Sequence, residues 1–279
     1  MIARDVMTAP VYIVSPRDTV AYARNLMVKH RISRILIMDN GKLTGLLTKK
    51  DIAYRIREQE PAWRRRPIDH IPVDMVATKD PFTVDVKAGT GTIAKVFAEK
   101  DISCLPVTES GTVVGIVTKT DLMKSAMFGS LKMPVSELMV DAVTISRYHS
   151  IDHVIEQMND LNDKLVVVNN DGTLAGVISE TNLAFFEPYT RRPGSEERDV
   201  TFLRKDEPAG TKQNRYVFKA SVIAEDVMSH PVVTIGPGAR VAEAVASMRE
   251  HRVNSLVVVE HNEIKGIIKR DDIIREVAK

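Results

Sequence analysis

Four stretches of this chain carry the same order of residues: a glycine, two aliphatics, a position that is usually a hydroxyl, two variable positions, and an acid or its amide. They read Gly45-Leu46-Leu47-Thr48-Lys49-Lys50-Asp51, Gly115-Ile116-Val117-Thr118-Lys119-Thr120-Asp121, Gly176-Val177-Ile178-Ser179-Glu180-Thr181-Asn182 and Gly266-Ile267-Ile268-Lys269-Arg270-Asp271-Asp272. Two chemistries are open to such a stretch. One is helix capping, in which a hydroxyl accepts from the first free amides and an acid three residues later complements the helix dipole. The other is ligand binding. Free amides at a helix start favour an anion such as phosphate, a hydroxyl there donates to it, and a carboxylate one turn in can accept both hydroxyls of a ribose. The glycine favours the second, because a missing side chain leaves room for something to approach the backbone.

A base would need an apolar slot. Thr83, Thr144 and Thr234, with Ile13 in the first copy, each stand fourteen residues before an apolar helix residue: Phe97, Met158, Met248 and Met27 respectively. These are the candidate contacts to the base. Three residues after that anchor come His30-Arg31 in the first copy and His251-Arg252 in the fourth, as HRISRILI and HRVNSLVV. Basic pairs there either complement the end of a helix or reach a phosphate.

The elements that must position these residues recur with them. Each anchor stands eighteen residues before its glycine, from Met27 to Gly45, Phe97 to Gly115, Met158 to Gly176 and Met248 to Gly266. In the fourth copy a short run at Val232–Ile235 ends at Gly236-Pro237-Gly238, and Val241, Ala244, Val245 and Met248 then fall at helical spacing. Ser255–Val259 and Ile264–Ile268 read as a hairpin, and a second helix begins at Asp272. The hairpin turn has Gly41, Gly111, Gly172 or Asn262 four residues before the motif glycine, the residue types most tolerant of positive φ. The order per copy is strand, helix, strand, strand, helix. A unit that small must cover its sheet with a neighbour, so the copies are expected to pair.

The spacing places repeats at 1–60, 72–127, 134–187 and 221–279, with a polar linker at 188–220. Hydrophobic content of 44% supports a real core, and no run is long and apolar enough to span a membrane, so a cytoplasmic protein is expected. The net charge of +2 excludes a chain-wide nucleic-acid footprint. One local basic patch, Trp63-Arg64-Arg65-Arg66, can grip nucleic acid or an acidic partner, or serve as a linker. The lone Cys104 lies in an apolar run and is expected in the core, and the seven histidines show no metal-ligand spacing.

The Thr-bearing strand, the hairpin and Gly-h-h-[Ser/Thr]-x-x-Asp in tandem resemble the CBS domain, named after cystathionine β-synthase. The resemblance covers nearly the whole chain outside the linker at 188–220 and a shorter insert at about 57–71. It implies an α/β (α+β) fold of four β-α-β-β-α repeats, paired into two Bateman modules in a disc, similar to the γ subunits of AMP-activated protein kinase. It further implies clefts for AMP, ADP, ATP or S-adenosylmethionine, with His30, Arg31, His251 and Arg252 reaching phosphates.

Residue by residue, the expected ribose contacts are Asp51, Asp121, Asp272 and Asn182. Those at the phosphate or helix start are Thr48, Thr118, Ser179 and Lys269. Repeat 2 has the full set, Thr83, Thr118 and Asp121, and is the expected occupied cleft. Repeat 1 has Ile13 at the base position, and Lys269 in repeat 4 either aids a polyphosphate or blocks the cleft. Asn182 makes repeat 3 the expected empty one, since a neutral acceptor binds a diol more weakly than an ionised one. The expected function is a non-catalytic sensor of adenine nucleotides, with no catalytic cofactor or metal, read by an effector protein or a second copy as a homodimer. The alternative is a nucleic-acid-binding protein that uses residues 63–66, with the repeats as scaffold.

Overall fold

The computed structural model describes residues 1–52, 68–158, 162–184 and 222–279. The basic patch at Trp63–Arg66 and the linker at 188–220 lie outside the described residues. Repeat 1 contributes β1 (Ile13–Val14), the helix Val20–Lys29, β2 (Arg34–Asp39) and β3 (Lys42–Thr48), and β4 (Thr78–Lys79) follows. Repeat 2 contributes β5 (Val84–Asp85), the helix Thr90–Lys100, β6 (Cys104–Glu109) and β7 (Thr112–Thr118). In repeat 3 these are β8 (Thr144–Ser146), Ile151–Gln157, β9 (Lys164–Val168) and β10 (Leu174–Ser179). Repeat 4 has β11 (Thr234–Ile235), Val241–Glu250, β12 (Ser255–Glu260), β13 (Glu263–Lys269) and a last helix, Arg270–Ala278. With Lys119–Leu122 and Glu180–Ala184 starting second helices in repeats 2 and 3, the expected order forms in repeats 2, 3 and 4 among the described residues.

In every repeat the middle strand pairs parallel with the short first strand and antiparallel with its hairpin partner. The turns Asn40-Gly41, Ser110-Gly111 and His261-Asn262 hold both central residues at positive φ, which matches the right-handed twist of the flanking strands. The register slips by one residue just before each motif glycine, a bulge repeated in all four hairpins.

The first helices bury one stripe each: Val20, Ala23 and Met27, then Ile93, Ala94 and Phe97, then Val241, Ala244, Val245 and Met248. Two start under a hydroxyl, with Thr19 accepting from the Tyr22 amide and Ser150 from the His153 amide. Three end near a left-handed residue, Arg31, Asp101 or Arg252, which lets the chain turn back into the next strand.

The repeats pair by exchanging lead segments. The segment ahead of β1 in repeat 1 bridges onto β7 through Thr8↔Ile116, while β4, ahead of β5 in repeat 2, adds to the edge of β3. Repeats 3 and 4 do the same through Val140↔Ile267 and Val177↔Ser229. Between the sheets of repeats 1 and 2 lie Leu36, Leu46 and Cys104; between those of 3 and 4 lie Val166, Val257 and Ile267. Cys104 is 4% exposed, a core residue whose thiol burial pushes up in pKa. The two modules then join through one continuous core, in which Phe97 and Leu122 of repeat 2, and Phe128 just after it, pack with Met248, Ile273 and Ile274 of repeat 4.

Candidate ligand clefts

The motif glycines do not hold space for a ligand, contrary to what the missing side chain suggested. A side-chain carbon added at Gly266 would lie 2.6 Å from the Val140 carbonyl oxygen. At Gly115 it would lie 3.2 Å from the Thr8 carbonyl oxygen and collide with Met7, and at Gly176 it would collide with Met228. Gly45 is the loosest, 3.3 Å from the Thr78 carbonyl oxygen. What approaches each backbone is the lead segment of the paired repeat, so exchange of segments explains the glycines.

Beside three of the four glycines the capping chemistry is realised. The Thr118 amide and hydroxyl donate to Asp121 Oδ2 at 3.1 and 2.7 Å, and the Asp121 amide returns a bond to the Thr118 hydroxyl at 3.1 Å. Thr48 and Asp51 repeat this at 2.7, 2.8 and 3.2 Å. In repeat 3 the Ser179 amide and hydroxyl donate to Asn182 Oδ1 at 3.0 and 2.6 Å. Repeat 4 lacks the hydroxyl, and Lys269 makes no side-chain cap.

The four acids and amides are not equally placed. Asp121 is 7% exposed, and its Oδ1 accepts from Lys124 at 2.7 Å and from Thr8 at 3.4 Å. The Asn182 amide donates to the Val227 carbonyl and the Ser229 hydroxyl at 3.0 and 2.9 Å, which fixes it to the lead segment of repeat 4. Asp272 accepts from Arg275 at 3.3 Å through Oδ1, while its Oδ2 is buried without a hydrogen-bond partner. Burial raises the pKa of Asp51 and of Asp272, against the pull of nearby amides and cations. Thr8 and Ser229 were not foreseen. Their shared position in the lead segments, two residues after the aliphatic that follows Asp5 and Asp226, was the available signal.

Ile13, Thr83, Thr144 and Thr234 all come out exposed, at or just before the start of the first strand of their repeats. His30 and His251 cap the ends of their helices. His30 Nδ1 lies 3.0 Å from the Tyr12 hydroxyl, and His251 Nδ1 lies 3.0 Å from the Ser247 carbonyl. The arginine charge that bears on Asp51 comes from Arg34.

Arg34 belongs to a cluster of charges that the motif did not announce. Lys119 Nζ lies 2.9 Å from Asp271 Oδ2, and Arg270 Nη1 lies 2.7 Å from the Thr120 hydroxyl, both between repeats 2 and 4. Lys269 reaches Asp163 of repeat 3 at 2.7 Å, and Lys164 holds the other oxygen of Asp163 at 2.8 Å. Burial pulls the Asp163 carboxyl upward, yet the two lysines outweigh it and lower it to about 2. Lys269 therefore points its charge into this junction. Arg34 Nε is buried there with no hydrogen-bond partner, and its charge is felt by Arg270. Among the described residues no group of three metal-ligating side chains forms, and no helix is long and apolar enough to cross a membrane.

A family model described as CBS domain matches residues 3–58, 65–127, 135–187 and 224–279. Protein MJ1404 of Methanocaldococcus jannaschii is 23% identical over 99% of this chain, which spans 61% of that protein's length. The CBS domain-containing protein YhcV of Bacillus subtilis is 30% identical over 44% of this chain and 84% of its own length. Among solved structures, MJ1225 of Methanocaldococcus jannaschii, proposed to be an archaeal homologue of g-AMPK, matches with a TM-score of 0.75 and 19% identity, covering 99% of each chain. That identity speaks for the fold alone. The four successive family matches, laid on two exchanged pairs of repeats, make this chain a member of the CBS-domain family.

Proposed function

We propose that the chain is a non-catalytic regulatory protein whose clefts bind an adenine nucleotide, AMP, ADP or ATP, or another adenosyl ligand such as S-adenosylmethionine. Occupancy shifts the repeats relative to one another, and an effector protein or a second copy reads the shift. The observation that carries this reading is the CBS-domain match of four successive repeats, with the recurring turn at a helix start, Thr48, Thr118 or Ser179 hydrogen-bonded to Asp51, Asp121 or Asn182, as the place where a ribose and phosphate would engage. In this reading the acids and Asn182 take the ribose, Thr48, Thr118, Ser179 and Lys269 flank the phosphate, and Ile13, Thr83, Thr144 and Thr234 line the base. His30, Arg31, His251 and Arg252 belong to it as outer phosphate contacts. A ligand shifts such an equilibrium only by its difference in affinity between the two arrangements.

Thermal unfolding with AMP, ADP, ATP and S-adenosylmethionine tests the reading. A ligand at about 100 times its dissociation constant adds roughly 2.7 kcal/mol. No shift with any of the four at millimolar dose would sink the proposal. Arg31→Ala and Arg252→Ala are expected to weaken ATP more than adenosine, and equal losses would remove their phosphate role.

A further inference from the structure

The turns proposed to hold ligand in repeats 2 and 4 are bonded to each other. The residue just after the cap position in repeat 2, Lys119, donates to Asp271, two after the cap position in repeat 4, at 2.9 Å. In return Arg270, just after that position in repeat 4, donates to Thr120, two after it in repeat 2, at 2.7 Å. Donor and acceptor positions are thus matched across the boundary between the modules. Both donors are held in the interior, the side chains of Lys119 and Arg270 being only 5% and 12% exposed, while the acceptor Thr120 lies at the surface. Asp271 and Thr120 each adjoin the acid proposed to take a ribose, Asp272 and Asp121. Beneath the turns, the helices Thr90–Lys100 and Arg270–Ala278 share one packed core.

We infer that the clefts of repeats 2 and 4 are a coupled pair, and that Lys119 and Arg270 are positioning residues through which filling one cleft tightens the other. The inference rests on the proposed ligand binding and adds its regulation. A ligand that engages Thr118 and Asp121 must move or hold the turn between them. Lys119 and Thr120 lie in that turn, and their partners sit in the turn of the other cleft. Close-packed interiors shift between discrete arrangements rather than deforming continuously, so the two turns share a state. A matched interface favours both turns in the same state, which makes the second ligand bind more tightly. The comparable link between repeats 1 and 3, Lys50 to Glu180, is 3.5 Å long with Lys50 54% exposed, where solvent screens the charge.

The test uses the full chain and AMP, with each cleft followed by methyl NMR at Val117 and Ile268, which lie just before the two cap positions. Asp272→Asn, which weakens cleft 4, is expected to weaken AMP at repeat 2 by about five-fold or more, the lower end of typical coupling. In a background of Thr120→Val with Asp271→Asn, the same substitution at 272 is expected to change repeat 2 less than about two-fold, equivalent to a coupling near the noise of such cycles. Thr120→Val alone, which removes a single hydroxyl, serves if the double variant does not fold, and is expected to lower the effect. The inference is overturned if AMP fills the two clefts independently, if only one of them fills, or if the coupling survives in the folded variants. Absence of AMP binding at any cleft instead overturns the proposed function itself.

Discussion

Gly266→Ala is the substitution that separates exchange of segments from any ligand role for the motif glycine. The added carbon would stand 2.6 Å from the Val140 carbonyl oxygen, a backbone atom that no rotamer change can move. Ordinary contact requires the lead segment to retreat by roughly 0.7 Å. Val140 and Ile267 exchange two backbone hydrogen bonds, each 2.9 Å long, and that retreat carries both past the useful range. Losing two such bonds costs about 1 kcal/mol each, more where the groups stay buried, and the stiffer unfolded chain returns about 0.4–1 kcal/mol. The net expectation is a loss of about 1–2 kcal/mol, the upper end where the freed groups stay buried. At Gly45 the closest atoms are 3.3 Å away, and one of them is the free end of the Ile37 side chain. Gly45→Ala is therefore expected to fall within about 0.5 kcal/mol of wild type. Urea unfolding of both variants without ligand, at equal protein concentration, measures the difference. Equal stabilities for Gly266→Ala and Gly45→Ala would refute the account of exchange as the reason for the glycines.

Three further outcomes concern charge. Burial raises the Asp272 carboxyl, so its charged form costs stability above that raised pKa, and the cost fades as pH falls through it. Asp272→Asn is expected to raise the melting temperature at pH 7 by about 2–4 °C, corresponding to about 1 kcal/mol for a chain of this size, and to do so less at pH 4. A lowered melting temperature at pH 7 would show that the exposed pair with Arg275 matters more than burial. Asp163, held down to about 2, contributes stability above its ordinary pKa of 3.8 and loses it as pH falls toward about 2. Asp163→Asn should cost about 1 kcal/mol at neutral pH, after allowing for its partial exposure, and should flatten the acid limb of the stability curve; an unchanged acid limb would count against the two lysine contacts. Finally, filter binding of RNA and duplex DNA across salt is expected to show no steep slope, whereas a steep one would bring back the alternative based on residues 63–66.

The elements were legible because their signals are local. Val241, Ala244, Val245 and Met248 mark their helix by spacing alone, and Gly41, Gly111, Gly172 and Asn262 mark the turns by the backbone angles they tolerate. The hydroxyl and acid of the motif also lie within one turn of each other, so Thr118 and Asp121 could be paired before any coordinates were known. The charged junction was not legible, because Arg34, Lys119, Asp163 and Arg270 come from four different repeats and each looks like a solvated residue in its own neighbourhood. The cap reading of His30 and His251 competes with their phosphate role for the same reason: a helix end presents the same residues for either purpose.

By itself the sequence determined the four repeats, their order of strands and helices, and the need for each to find a partner, since periodicity and turn chemistry act over a few residues. Only the tertiary structure decided that the motif glycines receive a lead segment, that Asp121 is already occupied by Thr118, Lys124 and Thr8, and that repeats 2 and 4 fuse their cores. Those outcomes depend on contacts between residues up to about 150 positions apart, such as Arg270 with Thr120. The free energy of such contacts comes from burial and from charges brought together out of water, and neither can be assigned until the chain has closed on itself.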